Sequence, residues 1–239
     1  MGIKIKGLAK RYKDVTAVDN LELDIAKGEL FALLGVNGAG KTTTIKMLCG
    51  LTKPDSGEAK IMGIGIENPK VKELIAISPQ ETAVAPNLTV LENLRLMCSA
   101  YGFSKEKTKE KCCEMLEKLS LTSVSEKKAS KLSGGYMRRL SIAMALISQP
   151  QVLFLDEPTL GLDVISRAEL WELIEELKGK MTVILTTHYM EEAERLSDRV
   201  GIMKSGKLIA VGTAAGLKTL AGTDKFEDAF VKIVKGAGI

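Results

Sequence analysis

Gly35-Val36-Asn37-Gly38-Ala39-Gly40-Lys41-Thr42 is the stretch whose reading decides the fold. It fits G-x-x-x-x-G-K-[ST] and sits where that pattern has a physical purpose, between an apolar strand at residues 29–34 and a helix at residues 42–49. Gly50 can supply the left-handed residue that ends this helix. Glycines let the chain curl until successive N–H groups point inward at phosphate oxygens, and the helix N-terminus adds partial positive charge. Lys41 is placed to reach the terminal phosphates, and the Thr42 hydroxyl to ligate magnesium. With Thr43, the nucleotide-gripping set is Gly35, Asn37, Gly38, Ala39, Gly40, Lys41 and Thr42. Chance produces such an octapeptide in roughly a few per cent of chains of this composition. The flanking strand and helix make chance far rarer.

Working outward, strand-like and helix-like segments alternate, which favours an α/β domain with a largely parallel sheet. Residues 152–155 and 181–186 read as further buried strands. Leu170, Leu173, Ile174 and Leu177 share one face of a helix that Gly179 can stop. Residues 200–203 and 208–211 flank Lys204-Ser205-Gly206-Lys207, the pattern of a hairpin turn, so an edge of the sheet should be antiparallel. The expected fold is therefore an α/β core with a mostly parallel sheet, an antiparallel edge and an inserted helical lobe. Its expected parts are a core at residues 1–81 and 150–213, a lobe at 82–149, and a tail at 214–239 of helix, turn near Gly222, and helix. Residues 104–118, rich in Lys and Glu, read as a solvated amphipathic helix in the lobe.

Residues 152–155 lead into Asp156 and Glu157, two carboxylates at the end of a buried strand, where open α/β sheets place ligand chemistry. Asp156 is expected in the magnesium shell. Glu157 is expected to orient and deprotonate an attacking water. His188, the single histidine, lies beyond the strand at residues 181–186, at the same sheet end. Ser133-Gly134-Gly135 precedes a helix with Leu140, Met144 and Ile147 at helical spacing. A serine cap followed by two glycines makes a second backbone anion site, more than one phosphate loop needs. Tyr12 and Gln80 say little alone.

The 239 residues, 45% of them hydrophobic, suffice for a well-buried core without staples. A net charge of +4 is too weak to imply a nucleic-acid partner. Four cysteines without a C-x-x-C pair suggest reduced thiols rather than a metal site. No apolar run approaches the ~18 residues of a membrane span, and residues 1–8 do not read as a secretion signal.

Taken together, these residues closely resemble the ATP-binding subunit of ABC transporters, over residues 3–217. The pieces stand in the family's order: Tyr12, the loop ending in Lys41-Thr42, Gln80, Leu132-Ser133-Gly134-Gly135, Asp156-Glu157, Gly161-Leu162-Asp163 and His188. The resemblance implies a P-loop NTPase core that binds ATP and Mg2+ and hydrolyses ATP. It implies that Tyr12 stacks on adenine, that Gln80 contacts magnesium and senses the membrane partner, and that His188 steadies the γ-phosphate and the attacking water. Ser133, Gly134 and Gly135 would bind the ATP held by a second, facing cassette, with Asp163 communicating across that interface. The implied partners are that second cassette, identical or not, and transmembrane permease subunits, with no nucleic acid. The implied location is the cytoplasm, on the inner face of the cell membrane. Residues 79–82 and 189–194 look most like exporters of drugs, sodium, lipids or polysaccharides. One departure is Tyr136, where the family usually has glutamine after the second glycine. The alternatives are a soluble ABC ATPase acting on ribosomes or DNA, and a GTPase or small-molecule kinase. Thr52-Lys53-Pro54-Asp55 superficially fits a guanine-reading motif but follows the loop's helix directly, where a turn is the better reading.

Overall fold

The computed structural model describes residues 2–236. In chain order the elements are β1 (Ile3–Tyr12), β2 (Val15–Ile25), β3 (Leu30–Gly35), α1 (Lys41–Leu48), β4 (Ser56–Ile61), β5 (Ile64–Gly65), β6 (Ile75–Ser78), α2 (Val90–Ala100), α3 (Lys105–Lys118), α4 (Gly134–Leu146), β7 (Val152–Asp156), α5 (Val164–Glu175), β8 (Thr182–Thr187), α6 (Met190–Leu196), β9 (Arg199–Lys204), β10 (Lys207–Gly212), α7 (Ala214–Ala221) and α8 (Phe226–Gly236).

The central sheet runs β10-β9-β3-β8-β7-β6, parallel throughout except for β10, which pairs antiparallel with β9 at the edge. Its middle strands are buried at every position because both faces are covered, so they read as continuous apolar runs. The two-residue period still divides them. Leu30, Ala32 and Leu34 of β3, Leu153 and Leu155 of β7, and Val183 and Leu185 of β8 join one core with α2 to α6 and the tail helices. Phe31 and Leu33, Val152 and Phe154, and Ile184 point the other way, into a second core with α1 and a second sheet.

That second sheet, β2-β1-β4-β5, is wholly antiparallel and is additional to the single sheet that the sequence pattern predicts. Ile3, Ile5, Leu21, Leu23 and Ile25 carry its buried face. It lies over the phosphate-loop helix, whose Ile45, Met47 and Leu48 share its core. β6 carries little signal in the sequence, being four residues long and seated by its pairing with β7. Gly57 lets β4 approach β1: a Cβ there would stand 2.2 Å from the Gly7 carbonyl oxygen.

Between β6 and β7 the chain is helical. α2 starts on a capping box, with Thr89 Oγ1 accepting from Glu92 N at 3.1 Å and Glu92 Oε2 accepting from Thr89 N at 2.7 Å. α3 is capped by Ser104, and its buried side is Lys111, Cys112 and Met115. The four cysteines are free thiols, three of them buried. Burial pushes the thiol pKa of Cys49 up, with the charge of Asp156 adding, and that of Cys112 up to about 12. Among the described residues no helix is long and apolar enough to cross a membrane.

Candidate functional site

The parallel sheet gathers the site because β3, β8 and β7 are neighbours and end at the same edge. Leu34 is level with Thr187, and Asp156 with Thr186. The phosphate loop, Asp156-Glu157 and His188 therefore leave adjacent strand ends, the place where parallel α/β sheets bind ligands.

The loop from Gly35 to Gly40 is shaped by three glycines in different ways. Gly38 and Gly40 take φ of 78° and 107°, in the region that side chains disfavour. At Gly40 a Cβ would also meet the Ala17 carbonyl oxygen at 2.3 Å, and at Gly35 one would meet the Met203 carbonyl oxygen at 2.6 Å. The expected β9–β10 turn takes part: Ser205 and Gly206 both have positive φ, as a type I′ turn requires. Gly206 N donates to Ala39 O at 3.0 Å, and Asp19 N donates to Gly206 O at 2.9 Å, so the hairpin, the loop and β2 are locked together.

Three side chains, Lys41, Glu157 and His188, converge over this loop. Lys41 Nζ lies 2.7 Å from Gly35 O, 3.3 Å from Val36 O and 3.1 Å from Glu157 Oε1. The other oxygen of Glu157, Oε2, is 2.7 Å from His188 Nδ1. Lys41 and Glu157 are both buried. A buried pair of this kind organises a site more than it stabilises a fold, because desolvation offsets much of the attraction. Glu157 itself sits at φ 48°, left-handed for a residue with a side chain. Its N–H donates to both the carbonyl (3.1 Å) and the hydroxyl (3.0 Å) of Thr186, which hold it there.

Asp156 Oδ1 accepts from Thr42 Oγ1 at 3.0 Å and from Thr186 Oγ1 at 2.6 Å. A hydroxyl and a carboxylate brought together beside a phosphate loop are the hard oxygen donors that magnesium takes, with nucleotide phosphates and water completing the shell. Among the described residues there is no cluster of three or more His, Cys, Asp or Glu that could hold a metal by itself. A cavity of about 510 Å³ opens over these groups, lined by Asn37 to Thr43, Gln80, Glu157, Leu160 and His188, with Val15 and Ala17 of β2. Tyr12 stands apart from that lining, 45% exposed at the end of β1, with Lys10 Nζ 5.5 Å from its ring centroid.

Ser133, Gly134 and Gly135 stand outside this cavity, at the start of α4. The Ser133 hydroxyl caps the helix, accepting from Tyr136 N at 3.5 Å. Gly134 is exposed, whereas Gly135 is buried so closely that a Cβ would meet Ser166 Oγ at 2.9 Å. Ser166 Oγ in turn donates to Asp163 Oδ2 at 2.7 Å. Asp163 caps α5, accepting from Ile165 N and Ser166 N at 3.0 Å each. The two Ser166 bonds, with the one from Ile165, hold the Asp163 carboxyl below its ordinary range. Val164 and Ile165 beside it are 78% and 72% exposed. Tyr136 turns its ring toward Arg139, 5.6 Å from the guanidinium carbon.

Two residues that sequence reasoning passed over tie these parts together. Arg138, buried on α4, donates to Pro79 O at 2.7 Å, Gln80 O at 3.1 Å and Glu157 O at 3.2 Å, joining the Gln80 loop to the end of β7. Its signal was the pair Arg138-Arg139 inside an otherwise apolar helix. Glu192, fully buried on α6, accepts from Thr159 and Trp171. On the far side of the Gln80 loop, a groove of about 350 Å³ is lined by Cys49, Leu51, Pro79, Met97, Tyr101 and Met144 among others.

Comparison with known proteins gives a consistent picture. The sequence profile of the family described as ABC transporter matches residues 18–160. The chain is 43% identical over 225 residues to the linearmycin resistance ATP-binding protein LnrL of Bacillus subtilis, covering 93% of this chain and 72% of that one. It is 40% identical over 228 residues to the daunorubicin resistance ATP-binding protein DrrA3 of Streptomyces coeruleorubidus, covering 94% and 72%. To YbhF of Escherichia coli, a probable multidrug ABC transporter ATP-binding protein, it is 39% identical over 240 residues, covering 97% and only 41% of the longer relative. A solved ATP-binding subunit of an ABC transporter superposes with a TM-score of 0.85 at 28% identity, covering 98% of this chain and 99% of that one. A dimeric post-hydrolysis cassette bound to ADP and Pi superposes with a TM-score of 0.80 at 28% identity, covering 88% and 98%.

Proposed function

Because the chain belongs to the ABC transporter family, as an ATP-binding cassette that hydrolyses ATP to power transport, we propose the residues that do the work and the kind of transport they drive. The observation that carries the catalytic part is the Lys41–Glu157–His188 chain over the glycine loop. Loop N–H groups and Lys41 grip the β- and γ-phosphates. Phosphate oxygens compete with Glu157 for Lys41, which leaves the carboxylate to act as base. Glu157 takes a proton from the attacking water as the water oxygen bonds to the γ-phosphorus and the bond to the bridging oxygen breaks; such a base is worth about 10²- to 10⁴-fold in rate. His188 fixes the orientation of the Glu157 carboxylate. Thr42 and Asp156, with Gln80 at the rim, would hold magnesium, which would supply neutralisation of phosphate charge. Tyr12 is the residue for adenine at the outer end of the site.

Ser133 to Gly135 serve a different ATP, the one on a facing cassette. Their separation from the phosphate-loop cavity supports this reading, as do the uncovered Val164 and Ile165 next to Asp163. The facing cassette is a second copy of this chain or a close relative. The apolar groove beside Pro79 and Gln80 is where the transmembrane partner docks, and Arg138 carries the movement of that loop to Glu157.

Transport runs outward, with drugs as the cargo class. Support comes from relatives named for resistance to linearmycin and daunorubicin, both of which the chain matches over more than nine-tenths of its length. Affinity purification of the tagged chain from its native membranes tests the reading. A polypeptide with several membrane spans should co-purify, and proteoliposomes of the pair should move cargo away from the cassette side on ATP. Ribosomes or DNA as the co-purifying partner, or movement toward the cassette, overturns it.

A further inference from the structure

Behind the wall that carries Glu157 and His188 lies a polar cluster for which phosphate chemistry has no use. Glu192 is 0% exposed. Its Oε1 accepts from Thr159 Oγ1 at 2.8 Å and from Trp171 Nε1 at 3.0 Å, while Oε2 lacks a hydrogen-bond partner among the described residues. The Thr187 hydroxyl bears on the same carboxyl. Thr159 lies two residues after Glu157, Thr187 directly precedes His188, and Trp171 belongs to the helix that Asp163 begins. Three segments that carry functional groups meet at one side chain.

A second tie runs parallel to it. Arg167 places its guanidinium carbon 4.7 Å from the centroid of the Tyr189 ring and donates to Leu162 O at 3.4 Å. The loop from Thr159 to Asp163 and the segment from Thr187 to Glu192 are thus joined twice. A fully buried carboxyl with one oxygen unpartnered is costly, and an apolar side chain would fill the same space without that cost. The cluster therefore calls for a role beyond packing.

We propose that Glu192 is a positioning residue for ATP hydrolysis: by clasping Thr159 and Trp171 it fixes the segment after Glu157 against the segment carrying His188, and so holds their 2.7 Å contact. This rests on the reading of Glu157 and His188 given above. The Glu157–His188 contact depends on two backbones that no strand pairing fixes beyond Asp156 and Thr187. Thr186 and Arg138 hold the Glu157 backbone itself, and Glu192 adds the tie between the segment after it and the segment carrying His188. The clasp works through the accepting Oε1, and burial, with Glu157 adding to the push, raises the pKa of the same carboxyl. Arg138, on α4, is the cationic group whose field reaches it. Glutamine offers the same accepting oxygen at the same reach.

Steady-state ATP hydrolysis by the full chain decides the matter, with Glu192→Gln, Glu192→Ala, Glu192→Asp and Glu157→Gln compared side by side. Glu192→Gln should stay within about 2-fold of the parent in kcat. Glu192→Ala and Glu192→Asp should lose roughly 10- to 100-fold in kcat with KM for ATP unchanged, the cost of a small misplacement of reacting groups. Parent-like kcat in Glu192→Ala, a loss in Glu192→Gln as large as in Glu192→Ala, or a loss carried by KM overturns the proposal. If Glu192→Ala does not fold, equal kcat in the Gln and Asp variants overturns it instead. Glu157→Gln separates the two layers: undiminished turnover there sinks the catalytic reading itself, whereas an inactive Glu157→Gln beside an active Glu192→Ala sinks only the clasp.

Discussion

Glu157 Oε2 and His188 Nδ1 meet at 2.7 Å, across the ends of β7 and β8, while the other oxygen of the same carboxylate faces Lys41. The carboxylate is held from both sides before any water is engaged. If it is the general base, Glu157→Gln removes the proton acceptor while preserving shape. Turnover should fall at least 10²-fold. ATP, still bound, should then keep two cassettes together, seen as an ATP-dependent dimer on size exclusion. Parent-like hydrolysis contradicts the assignment.

Lys41 tests the grip rather than the chemistry. Its ammonium is shared by Gly35 O, Val36 O and Glu157, all of them groups that cannot move far. Lys41→Ala removes a charged donor worth about 1.5–3 kcal/mol per bond, so ATP affinity should weaken by roughly 10- to 100-fold or more. A fluorescent-ATP titration measures this directly, and unchanged affinity refutes the loop's role.

The site was legible where its parts are local. Gly35 to Thr42, Asp156-Glu157 and His188 each follow a buried apolar strand, and a parallel sheet brings such strand ends to one edge. The hairpin turn at Ser205-Gly206 was legible for the same reason, but its contact with Ala39 was not, because nothing in either segment points to the other. The antiparallel sheet is a different failure. Ile3 and Ile5 alternate with Lys4 and Lys6 as a half-buried strand should, yet two of the buried positions that follow, Leu8 and Leu21, come after register shifts that break the period. Arg138 and Glu192 were hidden because their partners lie tens of residues away: Arg138 reads as one of two helix arginines until Gln80 and Glu157 fold against it.

The two glycines of the Ser133 segment should respond differently to one methyl group. A Cβ on Gly135 would press on Ser166 Oγ at 2.9 Å, the hydroxyl that holds Asp163, while one on Gly134 meets only Leu162 Cδ2 at 3.4 Å. Gly135→Ala should cost about 1–3 kcal/mol in chemical denaturation, the usual price of overpacking, and Gly134→Ala clearly less. Equal effects would show that α4 and α5 are not packed this closely.

Arg138 predicts a coupling between stability and rate. Lysine in its place keeps the charge but cannot present a fork to Pro79 O, Gln80 O and Glu157 O together. Arg138→Lys should lower unfolding free energy by roughly 2–3 kcal/mol and reduce kcat, because the Glu157 backbone loses a support. A variant as stable and active as the parent would place the Gln80 loop out of contact with the catalytic strand end.

The last prediction concerns pH and uses the same buried carboxyl that clasps Thr159. Burial, aided by the negative charge of Glu157, raises the Glu192 pKa above 4.5, while the nearby Thr187 hydroxyl and the bonds from Thr159 and Trp171 pull the other way without winning. The folded chain therefore keeps a proton that the unfolded chain releases near pH 4.5. Stability drawn from this group is fully present below that pH and is lost as pH rises toward the folded pKa. Glutamine cannot titrate. The unfolding free energy of Glu192→Gln, minus that of the parent, should therefore climb from pH 5 upward, at up to about 1.4 kcal/mol per pH unit, and level off once the parent's Glu192 ionises in the folded state. Denaturant unfolding of both proteins between about pH 5 and 8 measures the difference with every other titrating group in common. A gap that stays flat across that range means the folded carboxyl is already charged at pH 5, and the accepting oxygen that Thr159 and Trp171 share then belongs to a carboxylate.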